Sequence, residues 1–321
     1  FMLSLVRWLT ITAVVVCSTA VAQEYPNKPI RFIVPFPPGG SADILARTVG
    51  DKLATAFKQP VVVENKPGAG GIVGADAVAK STPDGYTLLF ANTNIAINPS
   101  LYRSLPYDTA KAFLPVIQMV SVPNLLLVAE DVPVNSVADL IALSKAKPGT
   151  LNYASAGNGS FPHLAIELFK LQAGISLVHV PYKGAAPALS ALLAKEVQVL
   201  SNDLLNALPL VRAGKIKALA ITGTVRSASI PEIPTMAEAG LKIYAAVGWQ
   251  GVMVPAGTPS TIVARLNLEI DKALNDTGLR DRLTAQGLEV VGGSTQQFAE
   301  FVRRDTERWR GAVEASGAKI D

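Results

Sequence analysis

Pro35-Phe36-Pro37-Pro38-Gly39-Gly40-Ser41-Ala42-Asp43 joins an apolar run, Ile30 to Val34, to a helical pattern from Ile44 to Phe57. A strand that turns through Pro and Gly directly into a helix leaves the first N–H groups of that helix unpaired. With the helix dipole behind them, those groups form a ready anion site. The same grammar recurs at Ala154-Ser155-Ala156-Gly157-Asn158-Gly159-Ser160, where Ser155, Asn158 and Ser160 add side-chain donors. Two anion-cradling turns on one chain point to capture of a carboxylated molecule. Each turn also has a plainer reading: an ordinary strand-to-helix connection with Asp43 in the first turn, and a helix capped by Ser160.

Three further polar segments sit where strands are expected to end. Asn92-Thr93-Asn94 follows the run Thr87 to Phe90, at a carboxyl end where parallel sheets bind ligands. Val180-Pro181-Tyr182-Lys183-Gly184 follows another short strand, and Asp203, after Val197 to Ser201, serves either as a helix N-cap or as a ligand contact. Trp249 reads as core. The expected ligand contacts are therefore Phe36, Pro38, Gly39 and Gly40; Asn92, Thr93 and Asn94; Ser155, Ala156, Gly157, Asn158, Gly159 and Ser160; and Tyr182 and Asp203.

Other chemistries lack their residues. The glycines at 68, 70 and 74 space as GxGxxxG rather than GxGxxG, and there is neither a GxxxxGK[ST] phosphate loop nor a GxSxG elbow. A nucleophilic serine needs a positioned base, and His163 belongs to the same helical turn as Ser160. The only cysteine is Cys17, and the two histidines, His163 and His179, have no paired spacing, so no metal site and no cofactor are expected. An α/β hydrolase or oxidoreductase using the same cleft is the alternative, one that requires a base beside Ser155 or Ser160, or a bound cofactor.

The elements that must position these residues alternate along the chain. Val61 to Val63, Leu88 to Phe90, Leu125 to Val128 and Ala218 to Ile221 are apolar throughout, the signature of strands buried on both faces of a mostly parallel sheet. Between them lie helical patterns at 139–146, 161–172, 186–195 and 204–212, with Gly174 and Gly214 as stops. The class is α/β. The last third is helical: one helix opens at Thr258-Pro259, a short one covers 278–286, and Ser294-Thr295-Gln296-Gln297 has capping-box spacing for a third. Apolar runs near Val120–Asn124 and Val247–Gly251 are candidate crossing strands, which would make one domain discontinuous: 23–122 plus 249–321, with 123–248 as the other.

Arg7, the apolar stretch from Leu9 to Val16 and Ala20-Val21-Ala22 read as a secretory signal peptide over residues 1–22. The formal net charge of +4 falls by one when Arg7 is removed, and the basic residues form no run. Aromatics make up 6% of the chain and do not interleave with Lys or Arg, so nucleic acid is not an expected partner.

In chain order the sequence contains Tyr25-Pro-x-Lys-Pro-Ile30, Pro35-Phe-Pro-Pro-Gly-Gly-x-x-Asp43, Asn65-x-x-Gly-Ala-Gly-Gly71, Pro83-Asp-Gly-Tyr86, Asn98-Pro-x-Leu-Tyr102, Leu105-Pro-Tyr-Asp108, Tyr153-Ala-Ser-x-Gly157, His179-Val-Pro-Tyr-Lys-Gly184, Pro231-x-Ile-Pro-Thr235 and Pro255-x-Gly-Thr-Pro259. With these motifs the chain resembles the Bug family, the periplasmic receptors of tripartite tricarboxylate transporters, over nearly all of its length after the leader. The resemblance implies a two-domain Venus-flytrap binding protein of the periplasm, monomeric, with a small carboxylate in the interdomain cleft. It further implies that the turns at 36–40 and 155–160 meet the ligand's carboxylates from opposite domains through backbone amides, small hydroxyls and waters. Transporter membrane subunits are the implied partners, with a membrane sensor protein as a further one. Members often carry an aromatic residue just before the acidic residue at 203, where this chain has Asn202. Asp203 pairs with an amino group in amino-acid-binding members, and the altered neighbour leaves that ligand class unassigned here.

Overall fold

A computed structural model describes residues 25–242, 244 and 246–320. The segment read as a signal peptide, with Cys17, lies outside the described residues. Ile30–Val34 (β1) runs into Ser41–Phe57 (α1), Val61–Asn65 (β2), Ile72–Ala79 (α2), Thr87–Asn92 (β3), Asn94–Leu101 (α3), Thr109–Ala112 (α4) and Phe113–Val122 (β4). Then come Asn124–Ala129 (β5), Val137–Ala146 (α5), Asn152–Ser155 (β6), Phe161–Ala173 (α6), Val178–Pro181 (β7), Ala185–Leu193 (α7), Val199–Asp203 (β8), Leu204–Arg212 (α8) and Ile216–Ile221 (β9). Gly248–Pro255 (β10), Ser260–Leu274 (α9), Thr277–Ala285 (α10), Glu289–Val290 (β11) and Thr295–Ser316 (α11) complete the chain.

The strands form two sheets, ordered β11-β4-β10-β3-β1-β2 and β7-β6-β8-β5-β9. The chain passes from the first to the second at Pro123, between β4 and β5, and returns over 222–247 to β10. The two passages are tied together: Asn124 N donates to Thr222 Oγ1 and Thr222 N to Asn124 O, both at 2.8 Å. The α/β class, with sheets flanked by helices, matches the sequence. The sheets, however, are mixed rather than mostly parallel. β1 runs parallel to β2 and β3, and β6 to β7 and β8, but β10 is antiparallel to β3 and β4, and β5 is antiparallel to β8 and β9. The physical reason is that an unbroken apolar run reports burial on both faces and carries no information about strand direction. β5 and β10 are buried along their whole length, yet they are the strands laid down just after each passage between sheets.

Apolar side chains on one face of the first sheet, among them Phe32 and Phe90, share a core with Leu45 of α1, Leu266 of α9 and Leu279 of α10. The opposite face, with Ile33, Leu89 and Trp249, continues through α3, α6 and α11 into the core of the second sheet. Helix α11 starts at the capping box that Ser294 and Gln297 form, as their spacing requires. Phe161 on α6 meets Trp309 on α11 edge to face at 5.5 Å.

Asp305 fastens α11 to the first sheet. Its carboxylate is fully buried and accepts from Trp249 Nε1 at 2.7 Å and Trp309 Nε1 at 3.2 Å, while Arg308 stands 3.2 Å from its other oxygen. Burial pushes the Asp305 pKa up against the two indole bonds and the arginine. The Asp305→Ala variant leaves two indole N–H groups unpaired in the core and loses about 2–4 kcal/mol in urea unfolding, whereas Asp305→Asn retains an acceptor and loses less.

Candidate functional site

A cavity of about 160 Å³ lies where the two sheets face each other, below the ~300–1,000 Å³ of pockets for drug-sized ligands. Four helices start in its wall: α3 at Asn94, whose N–H is taken by Asn92 Oδ1, and three others, Ser41 of α1 from the first sheet's side and Phe161-Pro162 of α6 and Ala185 of α7 from the second's. All three start without a side-chain cap, at Gly40, Ser160 and Gly184. By contrast α5, α8, α10 and α11 are capped by Ser136, Asp203, Asp276 and Ser294. The uncapped termini leave amide donors and the positive ends of three dipoles for whatever fills the cavity. A larger groove of about 430 Å³ beside Lys145 and Leu171 lies on the outer side of α5 and α6, and no helix starts there.

Of the residues expected from sequence, Asn92, Thr93, Asn94 and Asp203 line the cavity. All four already hold protein partners. Asn92 Oδ1 accepts from Asn94 N at 3.1 Å, Asn94 Nδ2 donates to Gly70 O at 3.0 Å, and Thr93 Oγ1 accepts from Trp249 N at 2.9 Å. Asp203 caps α8, accepting from Asn206 N and Asn206 Nδ2, each at 2.9 Å, and burial raises its pKa. Among the described residues it is the one ionisable side chain in the cavity wall.

Phe36, Pro38, Gly39 and Gly40 stand outside that wall, in the turn that delivers Ser41; Pro38 to Gly40 are exposed. The turn is held from behind by Asp43, whose carboxylate accepts from Gly39 N at 3.0 Å, Asn65 Nδ2 at 2.9 Å and Arg47 at 2.9 Å. Arg47 above all, helped by the Gly39 and Asn65 bonds, lowers the Asp43 pKa to about 2. Asn65 Nδ2 also donates to Phe36 O at 3.1 Å.

The second turn is likewise set behind α6 rather than in the wall. Ser155 is fully buried, Gly159 is buried, Ala156, Gly157 and Ser160 are half-buried, and Asn158 is exposed. Ser160 Oγ donates to Gly157 O at 2.7 Å instead of capping the helix. Gly157 has φ +124°, in the region that favours glycine, and its N–H donates to Ser155 Oγ. Tyr182 N donates to Ser155 O, while the Tyr182 hydroxyl reaches Glu196 at 3.4 Å, away from the cavity.

Sequence spacing missed a contact 24 residues long. His179 Nε2 lies 2.6 Å from Ser155 Oγ, so a base does stand beside that serine. The arrangement is nonetheless that of a buttress: Ser155 has no exposed surface and its Oγ also bonds the Gly157 backbone. His179 stacks on His163 at 4.0 Å and on Tyr153 at 4.8 Å, and His163 Nδ1 accepts from Gly159 N at 3.0 Å. Sequence reading also passed over Ser41, Phe161, Pro162, Ala185 and Gln250. Gly184-Ala185 repeats the strand–glycine–helix grammar of the other two turns, and Gln250 is the lone polar residue in an apolar run, so both signals were present.

Burial lowers the pKa of both histidines, that of His179 to about 4, with Lys170 adding to the effect and Glu167 opposing it. A base whose folded pKa is depressed contributes stability that is complete above its unfolded pKa and is lost as pH falls. Stability therefore drops as pH falls from about 6.5 to about 4, which urea midpoints across that window measure; His179→Gln flattens the drop.

Residues 45–318 match the family model described as the tripartite tricarboxylate transporter family receptor. Protein BugT of Bordetella pertussis is 38% identical over 325 residues, covering 99% of this chain and 100% of BugT. Among solved structures, Rpa4515 of R. palustris with adipate is 37% identical with a TM-score of 0.83, and the periplasmic binding protein BugD is 32% identical with a TM-score of 0.80. Each aligns over 92% of this chain and 100% of its own. With the two-sheet architecture and an anion-ready cavity between the sheets, these matches make the chain a member of the tripartite tricarboxylate transporter receptor family, of which the Bug proteins are part.

Proposed function

We propose that this chain is a non-enzymatic periplasmic receptor that holds a small mono-, di- or tricarboxylate between its two sheets and hands it to the membrane subunits of a tripartite tricarboxylate transporter. The observation that carries this reading is the convergence of three uncapped helix N-termini, from both sheets, on a cavity whose wall, among the described residues, contains no lysine or arginine. The structure solved with adipate, a dicarboxylate, is consistent with it. The two lobes are 23–122 plus 249–321 and 123–248; residues 1–22 are a cleaved export signal, and the receptor acts as a monomer, with a membrane sensor as a second possible reader of its loaded state.

Micromolar affinity requires about −8 kcal/mol, whereas one helix N-terminus supplies only ~0.3–1 kcal/mol when exposed and up to ~2 when partly buried. Three termini alone therefore fall short. Closure of the lobes must supply the remainder by expelling water and assembling amide and hydroxyl bonds, so closure belongs to the binding step. The turns at Phe36–Gly40 and Ser155–Ser160 act by fixing where α1 and α6 begin. The enzyme alternative gains nothing from the Ser155–His179 pair, because no substrate carbonyl reaches a serine with no exposed surface.

A thermal-shift screen of residues 23–321 against mono-, di- and tricarboxylates and acidic amino acids tests the reading. A ligand at about a hundred times its Kd adds roughly 2.7 kcal/mol, several degrees for a chain of this size. No shift from any acid overturns it. Gly157→Pro, which cannot adopt φ +124° and lacks the N–H given to Ser155, abolishes the shift while the circular dichroism spectrum stays native. Unchanged binding in that variant would remove the second turn from the mechanism.

A further inference from the structure

Two amide side chains in the cavity wall have polar ends without a protein partner. Asn202, at the end of β8 in the second sheet, is 2% exposed, and its Nδ2 has no acceptor. Its orientation is fixed, because Oδ1 accepts from Asp203 N at 2.8 Å, which leaves the NH2 group as the free end. Gln250, on β10 in the first sheet, is 8% exposed, and its Oε1 has no donor. Buried polar groups in native proteins are satisfied as a rule, so two orphans in the wall of one cavity call for an occupant.

We infer that Asn202 and Gln250 form a subsite for a hydroxyl group on the carbon skeleton of the carboxylate, one amide from each lobe. This rests on the receptor reading above and deepens it. A hydroxyl accepts one hydrogen bond and donates another, so it takes the Asn202 NH2 and gives to Gln250 Oε1 in the same pose. A methylene at that point satisfies neither amide. A carboxylate oxygen accepts only, and would leave Gln250 Oε1 unpaired. Because the two amides belong to different sheets, a hydroxyl between them also ties the lobes together, so it is counted only when the cleft is shut. Sites built to bond a hydroxyl discriminate strongly against the analogue that lacks it.

Titration calorimetry with matched acids tests this: malate against succinate, and 2-hydroxyglutarate against glutarate, with both enantiomers of each hydroxy acid. The expected result is at least tenfold tighter binding of one hydroxy acid than of its unsubstituted partner. Gln250→Leu and Asn202→Asp, the latter keeping the bond to Asp203 N, each bring that ratio below threefold, whatever happens to absolute affinity. Equal binding within each pair by the wild type, or a ratio that persists in both folded variants, overturns the subsite and leaves the receptor reading in place. Failure of all these acids to bind, together with no thermal shift across the wider panel, overturns both.

Discussion

A carboxylate in a dry core is tolerable only where donors surround it, and Asp305 is placed where two tryptophans from different elements supply them. The resulting link fixes α11 against β10, and the rest of the site follows from that alignment. Helix α11 lies on α3 and α6, the helices that begin at Asn94 and Phe161, both in the cavity wall. The same tryptophan that donates from its ring to Asp305 donates from its backbone to Thr93. Trp249 is thus core and wall at once: buried among Phe298 and Phe301 on one side, and holding the loop after β3 on the other.

With the elements held this way, the site works through absence of caps rather than presence of charge. Helices α5, α8, α10 and α11 spend Ser or Asp on their own amides; α1, α6 and α7 start from Gly or from a serine whose hydroxyl is turned elsewhere. Polar side chains near the turns are consumed behind them. Asp43 and Asn65 brace the first, and Ser155, His179 and His163 brace the second. Rigid turns keep the amides aimed without a ligand to organise them, which lowers the ordering cost of binding.

Much of this could be read from the sequence, for identifiable reasons. Leu204–Arg212 and the capping box at Ser294 are local patterns, and local physics decided both. The two Gly-rich turns announced helix starts, and those starts do face one cavity. Strand direction was hidden, because β5 and β10 look the same in either orientation when both faces are covered. Side-chain allegiance was hidden too: Asn94 reads as a donor for a ligand, yet its amide is taken by Gly70, 24 residues away. Ser155 and His179 are equally far apart in the chain, and only the parallel pairing of β6 with β7 brings them together. Gln250 was legible as one polar residue in an apolar strand, but its worth depends on facing Asn202's sheet, which spacing cannot express.

Among the described residues the lone ionisable side chain of the cavity wall is an acid, Asp203, so an anion seated there meets dipoles and no counter-ion from them. Dipole fields die away faster than the field of a net charge, and the occupant's charge is left unneutralised at the mouth of the cleft. Two unit charges 10 Å apart in water interact by only about 0.4 kcal/mol, and physiological salt screens them beyond about 8 Å. Occupancy is therefore written on this molecule as a local electrostatic mark, faint at a distance and legible to a surface already pressed against the cleft.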